Sequence, residues 1–180
     1  PEDLLCLPCT EDCPAGAAHL TFEHVTFSYH HTTPNVEDLS FSVGHGQTLG
    51  IIGPTGSGKS TLLSLILRLY DPDSGRILLD GRPLTSLTRN ELCAGVGIVF
   101  QNDFLIADTV RENIRFGREI DDTSIESAID CAQAGFIREK ENGLGFMLNV
   151  GGHNLSGGQQ QRVLICRAVA GDPRLLLLDD

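Results

Sequence analysis

Hydrophobic and polar residues alternate with a period of about two over residues 19–27, and cleanly over 39–43, so both stretches are expected as strands with one buried face. A polar turn with Pro34 and Asn35 separates them, and residues 44–47 form a second turn. Residues 49–52 are an apolar run, the pattern of a buried parallel strand. Helical periodicity follows over 60–69 until Asp71-Pro72-Asp73-Ser74-Gly75 stops it. Residues 76–79, with the Asp80-Gly81 turn, and 97–100 read as short strands. Residues 122–134 read as a helix, with Thr123 and Glu126 at capping-box spacing. Apolar periodicity returns over 163–169, and the bare leucine run 175–178 predicts a strand covered on both faces. No internal repeat is present. Strands alternating with helices make this an α/β chain.

The length of 180 residues suits one domain with room for a subdomain. Acids outnumber bases 24 to 13, a formal net charge of −11, which argues against a broad nucleic-acid face. A nucleotide is not excluded, because local amides and one lysine can hold a small anion. No apolar run approaches the roughly 18 residues needed to span a bilayer; the richest, 62–69, is broken by Ser64 and Arg68. The chain begins at Pro1 with no recognisable leader, and is expected to be a fragment of something longer. Residues 1–16 hold three cysteines, three prolines and four acids but no basic residue, and read as a linker. Cys6, Cys9 and Cys13 are spaced as zinc thiolates can be, yet no fourth ligand is evident, and the linker reading is preferred. Six irregularly placed cysteines fit a reduced compartment better than a disulfide scaffold.

The sharpest chemical signal is Gly53-Pro54-Thr55-Gly56-Ser57-Gly58-Lys59-Ser60-Thr61, which satisfies G-x-x-x-x-G-K-[ST] between an apolar strand and a helix. Glycines let the backbone wrap closely enough for its amides to face phosphate oxygens, and the helix start adds unpaired N–H groups and a positive dipole end. Lys59 supplies a point charge for the β- and γ-phosphates, and the Ser60 hydroxyl can ligate Mg²⁺. A second signal is Leu155-Ser156-Gly157-Gly158-Gln159. Ser156 and Gln159 have capping-box spacing, so a helix with free amides should begin there.

Together these segments resemble the nucleotide-binding domain of an ATP-binding cassette (ABC) transporter, from about residue 20 to the end, in the family's order and spacing. The first loop matches Walker A, and residues 155–159 match the signature motif without substitution. Tyr29 matches the aromatic that stacks on adenine, Gln101 the Q-loop glutamine that contacts Mg²⁺ and the attacking water, and residues 175–178 with Asp179 the Walker B strand and its metal-orienting aspartate. The resemblance implies a P-loop NTPase (RecA-like) fold: a parallel-sheet core, an N-terminal antiparallel β subdomain and a small helical subdomain at about 102–165, truncated at the C-terminus. Residues 1–17 would link to an absent transmembrane domain, and 18–180 would be the incomplete nucleotide-binding domain. Residues 103–114 look like the segment after the Q-loop in ABC exporters, and the 53 residues between Gln101 and Leu155 leave no room for the long coiled coil of the DNA-repair relatives.

The implied activity is ATP hydrolysis driving export, with ATP and Mg²⁺ as cofactors and Asp180, Gln101 and Lys59 as catalytic residues. Ser60, Gln101 and Asp179 are the implied metal ligands. The implied partners are a second nucleotide-binding domain, closing head to tail, and a transmembrane domain of the same polypeptide, with the nucleotide domain on the cytoplasmic face of the cell membrane and no nucleic acid. Two positions depart from the family. Asp180 stands where a glutamate base is usual, and Met147 and Val150 stand where exporters usually carry glutamates. A carboxylate withdrawn by about 1 Å can cost roughly 10²-fold in rate. These departures suit one half of a heterodimeric exporter. The alternatives are a nucleotide-binding module with weak hydrolysis of its own that completes a partner's site, and a non-transport ABC ATPase.

Overall fold

A computed structural model of the chain describes residues 5–8, 19–30 and 33–179, in two compact units, Pro1–Leu92 and Cys93–Asp180. Among the described residues no helix is long and apolar enough to cross a membrane. Cys9, Cys13 and the side chain of Cys6 lie outside the description, as does Asp180.

In the first unit, β1 (Leu5–Pro8) pairs antiparallel with β4 (Leu49–Ile52), which alternates half-buried and exposed residues and so is not the buried parallel strand its apolar run suggested. A four-stranded antiparallel sheet has the order β3-β2-β5-β6, with β2 (Leu20–Phe27), β3 (Val36–Val43), β5 (Ser74–Leu79) and β6 (Arg82–Pro83). Alternation drives β2: Leu20, Phe22, Val25 and Phe27 are all buried, and Phe22 stacks on Phe41 of β3 at 4.5 Å. The β2 register slips at His24, whose φ is +50°. Gly75 sits under this bulge, and any Cβ there would lie 2.2 Å from the His24 carbonyl oxygen, so only glycine fits. Helix α1 (Lys59–Ile66) buries Leu62, Leu65 and Ile66. It ends three residues before the expected Leu69, because Arg68 turns left-handed and its guanidinium donates to the Leu84 and Leu87 carbonyls at 3.3 and 3.2 Å. Helix α2 (Arg89–Gly95) carries the chain into the second unit.

The second unit is organised by β7 (Val96–Val99) and β8 (Leu175–Leu178), the one parallel pair among the described residues. Three helices, α3 (Val110–Arg115), α4 (Asp122–Cys131) and α5 (Gly157–Val169), share a core containing Val110, Ile114, Ile125, Ile129, Ile137, Leu148, Leu155 and Val163. Gly97 admits α5 closely: a Cβ would lie 2.4 Å from the Ala168 carbonyl oxygen. The expected capping box at Thr123 and Glu126 is not the one used. Asp121 caps α4 instead, accepting from the Ser124 amide at 2.8 Å and from the Ser124 hydroxyl at 3.3 Å, which starts the helix one residue before Thr123. These bonds hold the Asp121 carboxyl below its usual pKa. The leucines of β8 also depart from expectation, since Leu177 is buried while Leu176 and Leu178 are exposed. A bare apolar run identifies the strand without stating how many faces are covered.

Candidate nucleotide site

The first unit builds a candidate phosphate cradle at the carboxyl end of β4. The chain leaves the strand at Ile52, runs through residues 53–58 and enters α1 at Lys59. Gly56 and Gly58 have φ of +88° and +96°, a region side-chain-bearing residues rarely adopt. Gly58 is doubly required, because a Cβ would meet the Asn35 carbonyl oxygen at 2.6 Å. Gly58 is also the α1 N-cap and brings no side-chain cap, so the first amides of the helix have no intrahelical acceptor. The Lys59 ammonium folds over the loop and donates to the Gly53 and Pro54 carbonyls at 2.8 and 2.9 Å. Those are the bonds a phosphate would take over. Ser57 Oγ is buried with no hydrogen-bond partner among the described residues. An orphaned hydroxyl in a loop of left-handed glycines, beside a lysine and a helix start, fits a polyphosphate.

Tyr29 belongs to the same unit. It lies two residues past the end of β2, its amide donates to Asn35 Oδ1 at 3.1 Å, and its hydroxyl donates to Thr61 Oγ1 at 3.5 Å. Asn35 therefore serves both elements: its side chain fixes Tyr29 while its carbonyl lies against Gly58. The Tyr29 ring meets Phe27 and Tyr70 edge-on, at 5.0 and 5.1 Å, and remains 40% exposed. Of the sequence candidates, Tyr29 and residues 53–61 are thus brought together.

The second unit positions the remaining candidates in two places. Pairing of Val99 with Leu178, extended by the Asp179 amide donating to the Val99 carbonyl at 3.0 Å, puts Asp179 beside the turn that holds Gln101. Both lie beyond the carboxyl ends of parallel strands, where α/β folds bind ligands. The signature is the start of α5. Ser156 Oγ accepts from the Gln159 amide at 3.3 Å, and the Gln159 side chain accepts from the Ser156 amide at 3.1 Å, completing the expected capping box. Gly157 and Gly158 follow with open space where a Cβ would stand, so packing within the chain demands neither glycine. Gln160 donates back to the Gly152 and Leu155 carbonyls at 2.9 and 3.2 Å and holds the approach to the motif.

A buried network joins these two places and has no motif of its own. Arg167 of α5 donates to the Asn113 carbonyl at 2.9 Å and to Asn113 Oδ1 at 3.3 Å, and pairs with Asp103 at 3.2 Å. Its guanidinium lies over the Phe116 ring at 4.2 Å. Asn113, fully buried, bonds the Ile106 backbone in both directions, from Nδ2 at 3.0 Å and to Oδ1 at 2.9 Å. Burial lowers the Arg167 pKa against the opposing pull of Asp103. Sequence offers only a weak pointer, since Asp103 and Arg167 stand 64 residues apart.

The family model for ABC transporters matches residues 36–180. The chain belongs to the ABC transporter family. It is 41% identical over 161 residues to a beta-(1→2)glucan export ATP-binding/permease protein of Agrobacterium fabrum, covering 88% of this chain and 27% of that protein. It is 42% identical over 165 residues to an ATP-dependent lipid A-core flippase of Alcanivorax borkumensis, covering 90% and 28%. Among solved structures, a bacterial Atm1-family ABC exporter with ATP bound matches with a TM-score of 0.79 and 35% identity, over 92% of this chain and 29% of that one. The chain thus spans little more than a quarter of the length of these relatives. As an ABC nucleotide-binding domain it has the P-loop NTPase fold and binds ATP.

Proposed function

We propose that this ABC domain hydrolyses ATP to drive export by a longer protein that carries a transmembrane domain. The observation that carries the reading is the cradle of residues 53–60, with its left-handed glycines, folded-over Lys59 and orphaned Ser57 hydroxyl. In this reading Tyr29 stacks on adenine, and Lys59 leaves its two backbone carbonyls for the β- and γ-phosphates. The exchange keeps the ammonium's hydrogen bonds and adds charge complementarity. Ser60, Gln101 and Asp179 are the residues assigned to Mg²⁺, each with an oxygen donor of the kind that cation takes. Mg²⁺, when bound, supplies positive charge against the developing phosphate charge.

The signature is assigned to a second nucleotide-binding domain packed head to tail. Glycine is a poor helix former, and open space at Gly157 and Gly158 gives no packing reason for them inside the chain. Close approach of a partner's ATP does give one. The exposed Phe104, Met147 and Val150 of the second unit support docking of a transmembrane domain. Domain 18–180 with a linker at 1–17, and a place on the cytoplasmic face of the membrane, complete the reading.

Asp180 supports a second reading, in which this chain's own site hydrolyses weakly and its signature completes a partner's stronger site. The carboxylate is one methylene shorter than the usual base. ATP binding tests the Walker A assignment common to both readings. Lys59→Ala in the full-length protein should weaken ATP binding by about ten- to a hundred-fold in calorimetry, since a charge-assisted contact to phosphate is worth about 1.5–3 kcal/mol. Equal affinities for the two proteins would sink the assignment.

A further inference from the structure

Three strand ends meet at one edge of the antiparallel sheet in the first unit, and each carries a side chain able to bind a metal. His19 immediately precedes β2, His45 follows β3 in the turn before β4, and Asp80 immediately follows β5. The register pairs Leu20 with both Val43 and Leu79, which sets the three ends side by side. Backbone bonds from the His19 amide to the Val43 carbonyl and from the Asp80 amide to the His19 carbonyl, both 2.8 Å, fasten them. The side chains converge. His19 Nδ1 lies 2.7 Å and His45 Nε2 2.9 Å from the same oxygen, Asp80 Oδ1. The two imidazole rings are 4.2 Å apart, and one donor atom from each residue lies within 4.8 Å of the others. His19 is buried, Asp80 half-buried and His45 exposed, so the cluster has a fixed inner side and an open outer one.

We propose that His19, His45 and Asp80 bind Zn²⁺, with a fourth position open to water or an external ligand. Two imidazoles and one carboxylate form a mixed nitrogen–oxygen set of the kind zinc takes, and nitrogen-rich sets are poorly suited to Mg²⁺. Zinc bonds of about 2.0–2.2 Å in a tetrahedron separate the donor atoms by about 3.4 Å. The present contacts of 2.7 and 2.9 Å must therefore open by about 0.7 and 0.5 Å respectively. His45, exposed on a turn between Gly44 and Gly46, can make the smaller movement, and the larger falls to the half-buried Asp80 carboxylate turning away from the buried His19. The cluster is not part of the nucleotide cradle: it lies at the start of β2, whereas Tyr29 follows the far end of that eight-residue strand, about 25 Å along at 3.3 Å per residue. Bound zinc would clamp the ends of β2, β3 and β5 together.

The test titrates tag-free full-length protein with Zn²⁺ by calorimetry in excess Mg²⁺, alongside His45→Ala, Asp80→Asn and the triple variant Cys6→Ser, Cys9→Ser and Cys13→Ser. One Zn²⁺ per chain is expected, with a rise in thermal midpoint on addition of the metal. His45→Ala and Asp80→Asn should each weaken binding by at least the 10–100-fold that losing a mere outer-shell partner costs. Their ATP affinity should match the unaltered protein's, which shows that they fold. The cysteine variant should bind zinc as before. Absence of a stoichiometric site, survival of the affinity in both His45→Ala and Asp80→Asn, or its loss in the cysteine variant would each overturn the proposal.

Discussion

The Arg167 guanidinium, on the helix that begins at the signature, pairs at 3.2 Å with Asp103, two residues beyond Gln101. Both side chains are largely buried, at 8% and 14% exposure, so the contact is poorly screened by solvent. It ties the segment after the Q-loop to the signature helix within one unit.

Asp103→Asn keeps the shape and removes the charge. It should cost about 1.5–3 kcal/mol, the worth of a hydrogen bond to a charged group, and lower the thermal midpoint of the full-length protein. ATP affinity should be retained, because Asp103 is not among the residues assigned to the nucleotide or its Mg²⁺. A double-mutant cycle with Arg167→Met should return a coupling energy of about 0.5–3 kcal/mol. Additive effects would mean that the pair is incidental.

The two left-handed glycines of the cradle make a matched comparison. Gly56→Ala and Gly58→Ala both force a side chain into the left-handed region, at about 1–2 kcal/mol. Only at Gly58 does the new Cβ meet backbone, the Asn35 carbonyl, while at Gly56 it meets open space. Gly58→Ala should therefore weaken ATP binding more than Gly56→Ala, by at least the factor of ten that about 1.4 kcal/mol provides. Equal losses in calorimetry would show that the Asn35 contact yields easily.

Patterns that depend on neighbouring residues were readable in advance. The alternation in β2, the Ser156–Gln159 capping box and the loop at 53–61 all appear in the structure where spacing puts them. What depends on distant partners was not. The Asp121 cap is local and was an exception: Asp121 outcompeted Thr123 because its carboxylate takes both the amide and the hydroxyl of Ser124. Helix α1 stopped early because Arg68 reaches carbonyls at Leu84 and Leu87. The Asp103–Arg167–Asn113 network and the cluster at His19, His45 and Asp80 are products of strand register and helix packing, which no local window contains.

Asp180 separates a homodimer from a heterodimer. In a heterodimer whose partner keeps a glutamate base, Asp180→Asn should reduce steady-state ATPase only modestly, well short of the ~10²–10⁴-fold that removal of a working general base costs. In a homodimer the same substitution should nearly abolish turnover. The swap keeps volume and removes charge, so purified complexes can be compared directly. Near-complete loss would make Asp180 the working base and end the weak-site reading.

The central claim is that ATP held by one chain's cradle is completed by the signature of another. Gly158→Asp tests it most directly, because a Cβ at that position meets nothing within 4 Å in this chain. Its carboxylate would face a partner's γ-phosphate in a partly dry interface, where like charges repel strongly. ATPase of the full-length complex and ATP binding by calorimetry should be measured on the same preparation. Collapse of turnover with ATP binding retained is the predicted result; unchanged turnover would mean that the signature only caps a helix.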